Sequence, residues 1–219
     1  MLKSYFIIGT DTNVGKTYVA SALVQHFVRL GFQSLGMKPI ASGCERNQRG
    51  ELINDDVQAL INASNVSAPL NLINPYRFKP AIAPHIAATQ AGVFIDLHEI
   101  TQAYAQLTTL AEAVVVEGAG GFFVPLNEAQ TLADLAVQLN IPIILVVGMR
   151  LGCINHALLT VEAIQSRGLC LTGWVANQID PNFEMFEENL ASLKKRIVAP
   201  CLSVVGWQEE VQFNQVDLI

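Results

Sequence analysis

A segment near the N-terminus constrains the fold of this chain more than any other, and it reads Gly-Thr-Asp-Thr-Asn-Val-Gly-Lys-Thr over residues 9–17. The apolar run Tyr-Phe-Ile-Ile precedes it at 5–8, and apolar residues at helical spacing follow it from Val19 to Leu30. A buried strand, a glycine-containing loop and a helix form the context in which a terminal Gly-Lys-Thr binds phosphate. The loop amides and the helix start hold phosphate oxygens, the lysine reaches the outer phosphates, and the threonine hydroxyl binds Mg²⁺. The segment therefore predicts a phosphate-binding loop, or P-loop.

One detail departs from the usual P-loop spacing. Thr10 stands where a glycine is common, and Gly9 lies one position earlier. We therefore expect a loop that is one residue longer than usual. On this segment alone, an ordinary strand–turn–helix corner with a surface lysine remains the alternative.

The composition excludes several classes of protein. Hydrophobic residues make up 51% of the 219 residues and charged residues 15%, so the chain can bury a substantial core. The net charge is −6 and there is no basic tract, which argues against binding to nucleic acid. We expect a cytoplasmic protein, because no secretory signal and no apolar run of about 18 residues is present. The four cysteines, which form no CxxC pair and predict neither a zinc site nor a disulfide framework, stand at 44, 153, 170 and 201.

Strand-like and helix-like segments alternate along the chain, and this order is typical of βαβ units. After the P-loop, strands are predicted at 34–38, 114–116, 142–147, 171–176 and 201–205. Helices are predicted at 55–61, 85–90, 97–110, 131–140, 153–164 and 183–197, with a loop over 41–54 and an irregular stretch over 74–84. We expect an α/β fold of the P-loop NTPase type: a doubly wound, mainly parallel sheet with helices on both faces. Since no linker or repeat interrupts the pattern, residues 1–219 are predicted to form a single P-loop α/β domain.

Polar residues follow several of the predicted strands directly. Lys38, Glu117, Asn177 and the segment 148–153 all come just after a strand. In parallel sheets, ligands bind beyond the carboxyl ends of the strands, so these residues should converge on the edge where the P-loop lies. Glu117 suits Mg²⁺ there, and the glycines that follow allow close approach of a ligand. The alternative for Glu117 is a solvated turn residue.

Three further sites in the sequence each allow a functional and a structural interpretation. Asp55 and Asp56 offer a second metal carboxylate or are charges at a helix N-terminus. Lys38 neutralises a transferring phosphoryl group or is merely solvated. The helix that opens at 152–156 presents free amides to an anion such as a carboxylate, or it is a routine turn with Asn155 as its cap.

The nucleotide base has two candidate contacts. Asn177 ends a strand and could read a base edge, or it is a turn residue. Trp207 follows the last strand and could pack near the base, or it is a structural tryptophan.

Taken together, seven segments resemble the ATP-dependent dethiobiotin synthetase family. They are Gly-Thr-Asp-Thr-Asn-Val-Gly-Lys-Thr at 9–17, Lys-Pro-Ile-Ala-Ser-Gly at 38–43, Asn-Pro-Tyr at 74–76, Pro-His-Ile at 84–86, Val-Glu-Gly-Ala-Gly-Gly at 116–121, Leu-Gly-Cys-Ile-Asn-His at 151–156 and Gly-Trp-Val-Ala-Asn at 173–177. The resemblance implies a homodimer with the substrate site at its interface. It also implies the ATP-dependent closure of a ureido ring in biotin biosynthesis, in which 7,8-diaminononanoate and CO₂ or bicarbonate give dethiobiotin, ADP and phosphate. ATP is the co-substrate, Mg²⁺ the cofactor, and no nucleic acid or membrane takes part.

The resemblance also implies a role for each matching residue. Lys38 and Lys16 are the catalytic residues, and Thr17, Asp56 and Glu117 hold the metal. Asp56 is preferred to Asp55 because Leu60 then keeps the family's spacing. The substrate-binding residues are Thr12, Ser42, Gly152, Cys153 and Asn155. The ATP-binding residues are Asn13, Val14, Gly15, Lys16, Thr17, Tyr18, Asp56, Glu117, Gly118, Ala119, Gly120, Asn177, Gly206 and Trp207.

Two departures from the family pattern concern the nucleotide. Some family members carry a glutamate where Asn13 stands, and Val-Val-Gly-Trp at 204–207 replaces a segment that tends to end in Ile-Pro-Trp.

Two rival functions fit the sequence less well. A cobyrinate diamide synthetase carries an additional glutaminase domain, for which 219 residues leave no room. A cell-division switch of the MinD type carries a signature lysine in its loop at the position of Asp11. Turnover of nucleotide with and without diaminononanoate and bicarbonate separates the three.

Overall fold

Strands and helices alternate along residues 2–48 and 50–213, the part of the chain that the computed structural model describes. The strands are β1 Lys3–Gly9, β2 Ser34–Met37, β3 Ile40–Ser42, β4 Glu45–Arg46, β5 Leu52–Ile53, β6 Tyr76–Phe78, β7 Ala113–Gly121, β8 Ile143–Met149, β9 Leu171–Gln178 and β10 Cys201–Val205. The helices are α1 Lys16–Arg29, α2 Asp55–Ala63, α3 Leu70–Ile73, α4 Pro84–Ala91, α5 Leu97–Leu107, α6 Leu132–Leu139, α7 Cys153–Ser166 and α8 Phe186–Arg196.

Six of the strands form one parallel sheet in the order β10-β9-β8-β1-β7-β2. β1 lies between β7 and β8, with Phe6 opposite both Val116 and Ile143. The chain adds strands first on one side of β1 and then on the other, and this is the doubly wound arrangement. The predicted α/β fold is therefore confirmed, and the P-loop lies where the sheet changes direction.

Helices cover both faces of this sheet. Every β1 side chain from Ser4 to Ile8 is therefore buried. Tyr5 and Ile7 pack in one apolar cluster with Leu23 of α1 and Leu60 of α2. The alternate residues Phe6 and Ile8 point to the opposite cluster, which includes residues of α5, α6, α7 and α8. A strand that is buried on both faces reads as a continuous apolar run, as this one does.

Several element boundaries differ from the sequence prediction. The stretches predicted as loop or irregular contain β3, which pairs with β6, and β4, which pairs with β5. Such two- and three-residue strands are too short to produce a periodic pattern. β7 runs on to Gly121 and β8 to Met149, because pairing continues between Gly9 and Gly121 and between Gly148 and Asn177.

The predicted helix over 183–197 begins later, at Phe186. Met185 has φ 55°, which is left-handed, so a right-handed helix cannot run through it. None of the described helices is long and apolar enough to cross a bilayer.

Candidate active site

The backbone of the P-loop takes two left-handed conformations between β1 and α1. Asn13 has φ 59° and Gly15 has φ 89°. A Cβ atom at Gly15 would overlap Nδ2 of Asn177, which itself donates to the carbonyl of Val14 at 2.9 Å. Glycine is thus required at position 15 for its conformation and for its small size. The packing brings the end of β9 against the loop, as the sequence predicted for Asn177.

Lys16 lies at the base of the loop, where 7% of the residue is exposed. Its Nζ donates to the carbonyl oxygen of Asp11 at 2.7 Å. Burial and, next, the neighbouring ammonium of Lys38 lower the pKa of Lys16 to about 8. The ammonium therefore lacks a full counter-charge, which favours the binding of an anion.

Asp11 connects the loop to the end of β8, a contact that sequence reasoning missed. One carboxylate oxygen accepts from the Thr12 amide at 2.7 Å, and the other forms an ion pair with Nη2 of Arg150 at 2.5 Å. Arg150 follows Met149 directly, so its position after a strand was the available signal. The ion pair links the loop to the residue that follows β8.

The second lysine lies between two carboxylates that come from two other elements. Nζ of Lys38, which follows β2, forms an ion pair with Oε1 of Glu117 on β7 and lies 3.2 Å from Oδ2 of Asp56 on α2. The hydroxyl of Thr17 on α1 donates to the same Oε1 of Glu117 at 2.8 Å. Glu117 is 1% exposed and Lys38 is 5% exposed. These four residues form one connected group, which we call the Lys38 cluster.

Electrostatics keep Lys38 and Asp56 ionised. Burial disfavours the ammonium, yet the carboxylates of Glu117 and Asp56 outweigh it and raise the pKa of Lys38. Burial likewise disfavours the Asp56 carboxylate, but the Lys38 ammonium and the Thr17 hydroxyl lower its pKa. The charged forms are therefore the stable ones.

The cluster fits a magnesium ion. Oε2 of Glu117 is buried and, within the described residues, has no hydrogen-bond partner. The same carboxylate accepts from the Thr17 hydroxyl and shares the Lys38 ammonium with the Asp56 carboxylate, and all three groups are hard oxygen donors. The described residues contain no metal-binding group of three or more His, Cys, Asp or Glu side chains, so the protein itself offers two carboxylates here. A site with only two carboxylates suits Mg²⁺, which commonly completes its shell with substrate phosphates and waters.

The two aspartates at the start of α2 differ in what they contact. Asn54 caps this helix, and its side chain accepts from the amides of Asp56 and Val57. Asp56 then contacts Lys38, whereas Asp55 is exposed to solvent.

A cleft of about 900 Å³ opens above the Lys38 cluster. Within it, Oγ of Ser42 is buried without a hydrogen-bond partner among the described residues. Gly118 is not in the wall, but its carbonyl lies 3.4 Å from Nζ of Lys38. The predicted site residues that line this cleft are Thr12, Asn13, Gly15, Lys16, Thr17, Tyr18, Lys38, Ser42, Asp56, Glu117, Ala119 and Gly120.

A smaller recess of about 310 Å³ shares Asn13, Gly15 and Tyr18 with the main cleft. Asn177, Gly206 and Trp207 complete its predicted lining, and 46% of Trp207 is exposed. Sequence reasoning missed Gln178 and Glu209. Gln178 Oε1 accepts from the Trp207 amide at 3.2 Å, and the Glu209 carbonyl accepts from the Tyr18 hydroxyl at 2.7 Å. The two cavities adjoin at these shared residues, as a nucleoside joined to its phosphates requires.

Comparison with known proteins identifies the family. A family profile described as an AAA domain matches residues 3–215. The ATP-dependent dethiobiotin synthetase BioD of Aromatoleum aromaticum is 52% identical over 93% of this chain and 90% of that protein. The proteins of the same name from Nitrosospira multiformis and Pseudomonas aeruginosa are 48% and 47% identical over 95% of this chain, which covers 90% and 92% of their lengths. The chain belongs to the ATP-dependent dethiobiotin synthetase family.

Solved structures share the fold of this synthetase at low sequence identity. The septum site-determining protein MinD of Pyrococcus horikoshii, complexed with Mg-ADP, matches with a TM-score of 0.55 and 14% identity over 94% of this chain and 82% of that chain. Chloroplast FtsY of Physcomitrella patens matches with a TM-score of 0.54 and 15% identity over 98% of this chain and 62% of that chain. At such identities the likeness shows the fold alone, so the MinD-type alternative gains no support as a function.

The structure does not bring one predicted part of the synthetase site to the cleft. Gly152, Cys153 and Asn155 at the start of α7 are not among the residues that line it. The amide of Cys153 donates to the Arg150 carbonyl at 3.0 Å, so it is not a free donor as the sequence suggested. Burial raises the pKa of the Cys153 thiol, which is therefore a poor nucleophile. The role of this segment stays a prediction.

Proposed function

We propose that this synthetase carries out the ATP-dependent carboxylation and ring closure of 7,8-diaminononanoate with CO₂, giving dethiobiotin, ADP and phosphate in biotin biosynthesis. One observation carries the proposal: in a chain of this family, Lys16, Thr17, Lys38, Asp56 and Glu117 converge on one cleft. The recess that shares Asn13, Gly15 and Tyr18 with this cleft has a size and lining suited to a nucleoside.

The reaction needs no nucleophile from the protein. One amine of the substrate adds to CO₂ and loses a proton, which gives a carbamate. A carbamate oxygen attacks the γ-phosphorus of ATP, and the bond to the ADP oxygen breaks. The second amine then attacks the carbonyl carbon, loses a proton and expels phosphate, and the ureido ring closes. Positioning and neutralisation of charge are therefore the main tasks of the protein.

The side chains divide these tasks by their position. Lys16 and the amides of the P-loop hold the phosphates, since the loop backbone and the ammonium face the same space. Lys38 stabilises the carbamate and its phosphorylated form. Thr12 and Ser42 contact the reacting end of the substrate, and the buried, unpartnered hydroxyl of Ser42 supports this role. Asn13, Tyr18, Asn177, Gly206 and Trp207 hold the nucleoside, while Val14 in the P-loop and Gly118, Ala119 and Gly120 border the phosphates.

The residues suited to hold Mg²⁺ are Thr17, Asp56 and Glu117. When bound, the ion neutralises negative charge on the outer phosphates. The unpartnered Oε2 of Glu117 supports this assignment.

We further propose that residues 1–219 form a single domain of a cytoplasmic homodimer, although residues 1, 49 and 214–219 lie outside the described part. The carboxylate of the substrate lies beyond an apolar chain, far from its amines. The start of α7 near Gly152, Cys153 and Asn155 of the partner subunit would receive it, through amides other than that of Cys153, which donates to the Arg150 carbonyl. The match of residues 151–156 to the family's segment supports this placement. Heterodimers of a Lys38→Ala subunit and an Asn155→Pro subunit should regain activity, and inactivity in demonstrated heterodimers would argue for a site within one chain.

The proposed activity is tested by release of ADP. It should require ATP, diaminononanoate, bicarbonate and Mg²⁺ together, and omission of any one should abolish it. The adjacent aspartates offer a matched pair: Asp56→Asn should lose at least about tenfold in Mg²⁺-dependent turnover, while Asp55→Asn should keep it. ADP release that is indifferent to diaminononanoate would contradict the proposed function.

A further inference from the structure

All the predicted metal ligands face a single ammonium group. Nζ of Lys38 contacts Oε1 of Glu117 and lies 3.2 Å from Oδ2 of Asp56. Thr17 reaches the same cation through the oxygen it shares with Lys38, since its hydroxyl donates to Oε1 of Glu117 at 2.8 Å. Lys38 is thus linked to the complete predicted ligand set, directly or through one atom.

Two carboxylates that face each other require a cation between them. Glu117 is 1% exposed, so water cannot screen it, and an uncompensated buried charge is strongly destabilising. Lys38 supplies the compensation in the protein without metal. A divalent cation would bind the same two carboxylates, even though Oε2 of Glu117 has no partner among the described residues. The ammonium and the metal ion therefore compete for the same two negative charges.

The proposed reaction needs Lys38 elsewhere. An ammonium that is saturated by two carboxylates has little positive charge left for a carbamate. Lys38 also lines the cleft with Ser42 and Thr12, and its long, flexible stem allows its head group to turn towards them.

We propose that Lys38 is the resident cation of the metal site: it neutralises Asp56 and Glu117 in the metal-free protein and leaves them for the reacting end of the substrate when a divalent cation binds. This rests on the proposed function for the identity of the metal ligands and of the substrate. Metal binding and release of the catalytic lysine then occur together, so the Lys38 ammonium is free only when a metal ion occupies the site.

The test is titration of Mn²⁺ into the nucleotide-free protein, followed by electron paramagnetic resonance of the free ion. Lys38→Met removes the competing cation and should tighten Mn²⁺ binding by at least about tenfold, as expected for one charge in a poorly solvated site. Lys16→Met is the matched control, because it removes an equal charge from the same cleft without a hydrogen bond to either carboxylate. Its effect should be several-fold smaller. If Lys38→Met does not fold, Lys38→Gln removes the charge and keeps a donor for the carboxylates.

The outcomes separate this inference from the proposed function. The inference is wrong if Lys38→Met and Lys38→Gln bind Mn²⁺ no more tightly than the wild type. It is also wrong if they tighten Mn²⁺ binding only as much as Lys16→Met does. If Asp56→Asn and Asp55→Asn both bind Mn²⁺ like the wild type, the metal assignment in the proposed function is wrong instead. Tighter binding in the Lys38 variants, lost again when Asp56→Asn is added, supports both.

Discussion

Breaking the contact between Lys38 and Glu117 should destabilise the metal-free protein far more than removing both charges together. Lys38 and Glu117 have side chains that are 6% and 1% exposed, so neither charge is solvated when its partner is lost. Removing one partner of a buried ion pair costs about 3–5 kcal/mol of unfolding free energy. Lys38→Met should lie at the upper end, because Glu117 then faces Asp56 without a cation.

Glu117→Gln should cost about 3 kcal/mol of unfolding free energy, the lower end of this range. The Asp56 carboxylate, at 3.2 Å, still compensates the ammonium, but its side chain is 45% exposed and the compensation is partial. The double variant, which combines Lys38→Met and Glu117→Gln, leaves no buried charge in this pair. Such replacements often change the unfolding free energy little. We therefore expect the double variant to lose at least about 2 kcal/mol less than the sum of the single losses.

Urea unfolding in the presence of a chelator measures these free energies, with the emission of the fully buried Trp174 as the signal. Each single change should also lower the melting temperature by about 6–20 °C, since 1 kcal/mol corresponds to about 2–4 °C at this chain length. The exposed pair of Arg167 and Asp134 is the control, and Arg167→Met should cost no more than about 1 kcal/mol. Strict additivity of the Lys38 and Glu117 losses would refute the reasoning.

Two further predictions concern the P-loop. The pKa of Lys16 is about 8 in the free protein, and bound phosphates should raise it. Binding of ADP at pH 8.5 should therefore take up a proton, and ADP affinity should fall as the pH rises above about 8. Calorimetry in buffers of different ionisation enthalpy measures this uptake; Lys16→Arg should abolish it, and a buffer-independent enthalpy for the wild type would contradict it. Gly15→Ala should weaken ADP binding by at least about tenfold, because the new Cβ overlaps Asn177, whereas Gly31→Ala imposes the same φ of 89° with no atom within 4 Å and should cost only about 1 kcal/mol of stability. Equal ADP affinities of these two variants would show that the overlap is unimportant.

The alternation of the main strands and helices was predictable from the sequence. The apolar run at 5–8 and the helical spacing from Val19 to Leu30 report burial, and burial determines how these segments pack. The same reasoning placed Lys38 and Glu117 at the carboxyl edge of the sheet, where the structure has them. Parallel strands meet at one edge regardless of what their side chains contact, so the placement required no knowledge of those contacts.

The contacts within the site were not predictable in the same way. The Lys38 cluster joins four elements through side-chain rotamers, which leave no periodic signal. The ion pair between Asp11 and Arg150 spans 139 positions of the chain and depends on the register of β1 against β8. The late start of α8 depends on one left-handed residue, Met185, a conformation that only glycine and asparagine commonly indicate.

The central claim is that a carbamate oxygen of the substrate attacks ATP in the cleft above Lys38. It is tested most directly by a single turnover with bicarbonate labelled with ¹⁸O, quenched before the label exchanges with water. Mass spectrometry then follows the label into inorganic phosphate and dethiobiotin. The account predicts one ¹⁸O atom in each molecule of phosphate and one in the ureido carbonyl of dethiobiotin, both corrected for exchange. Unlabelled phosphate formed together with labelled dethiobiotin would show that the phosphoryl group passed to another acceptor and would contradict the account.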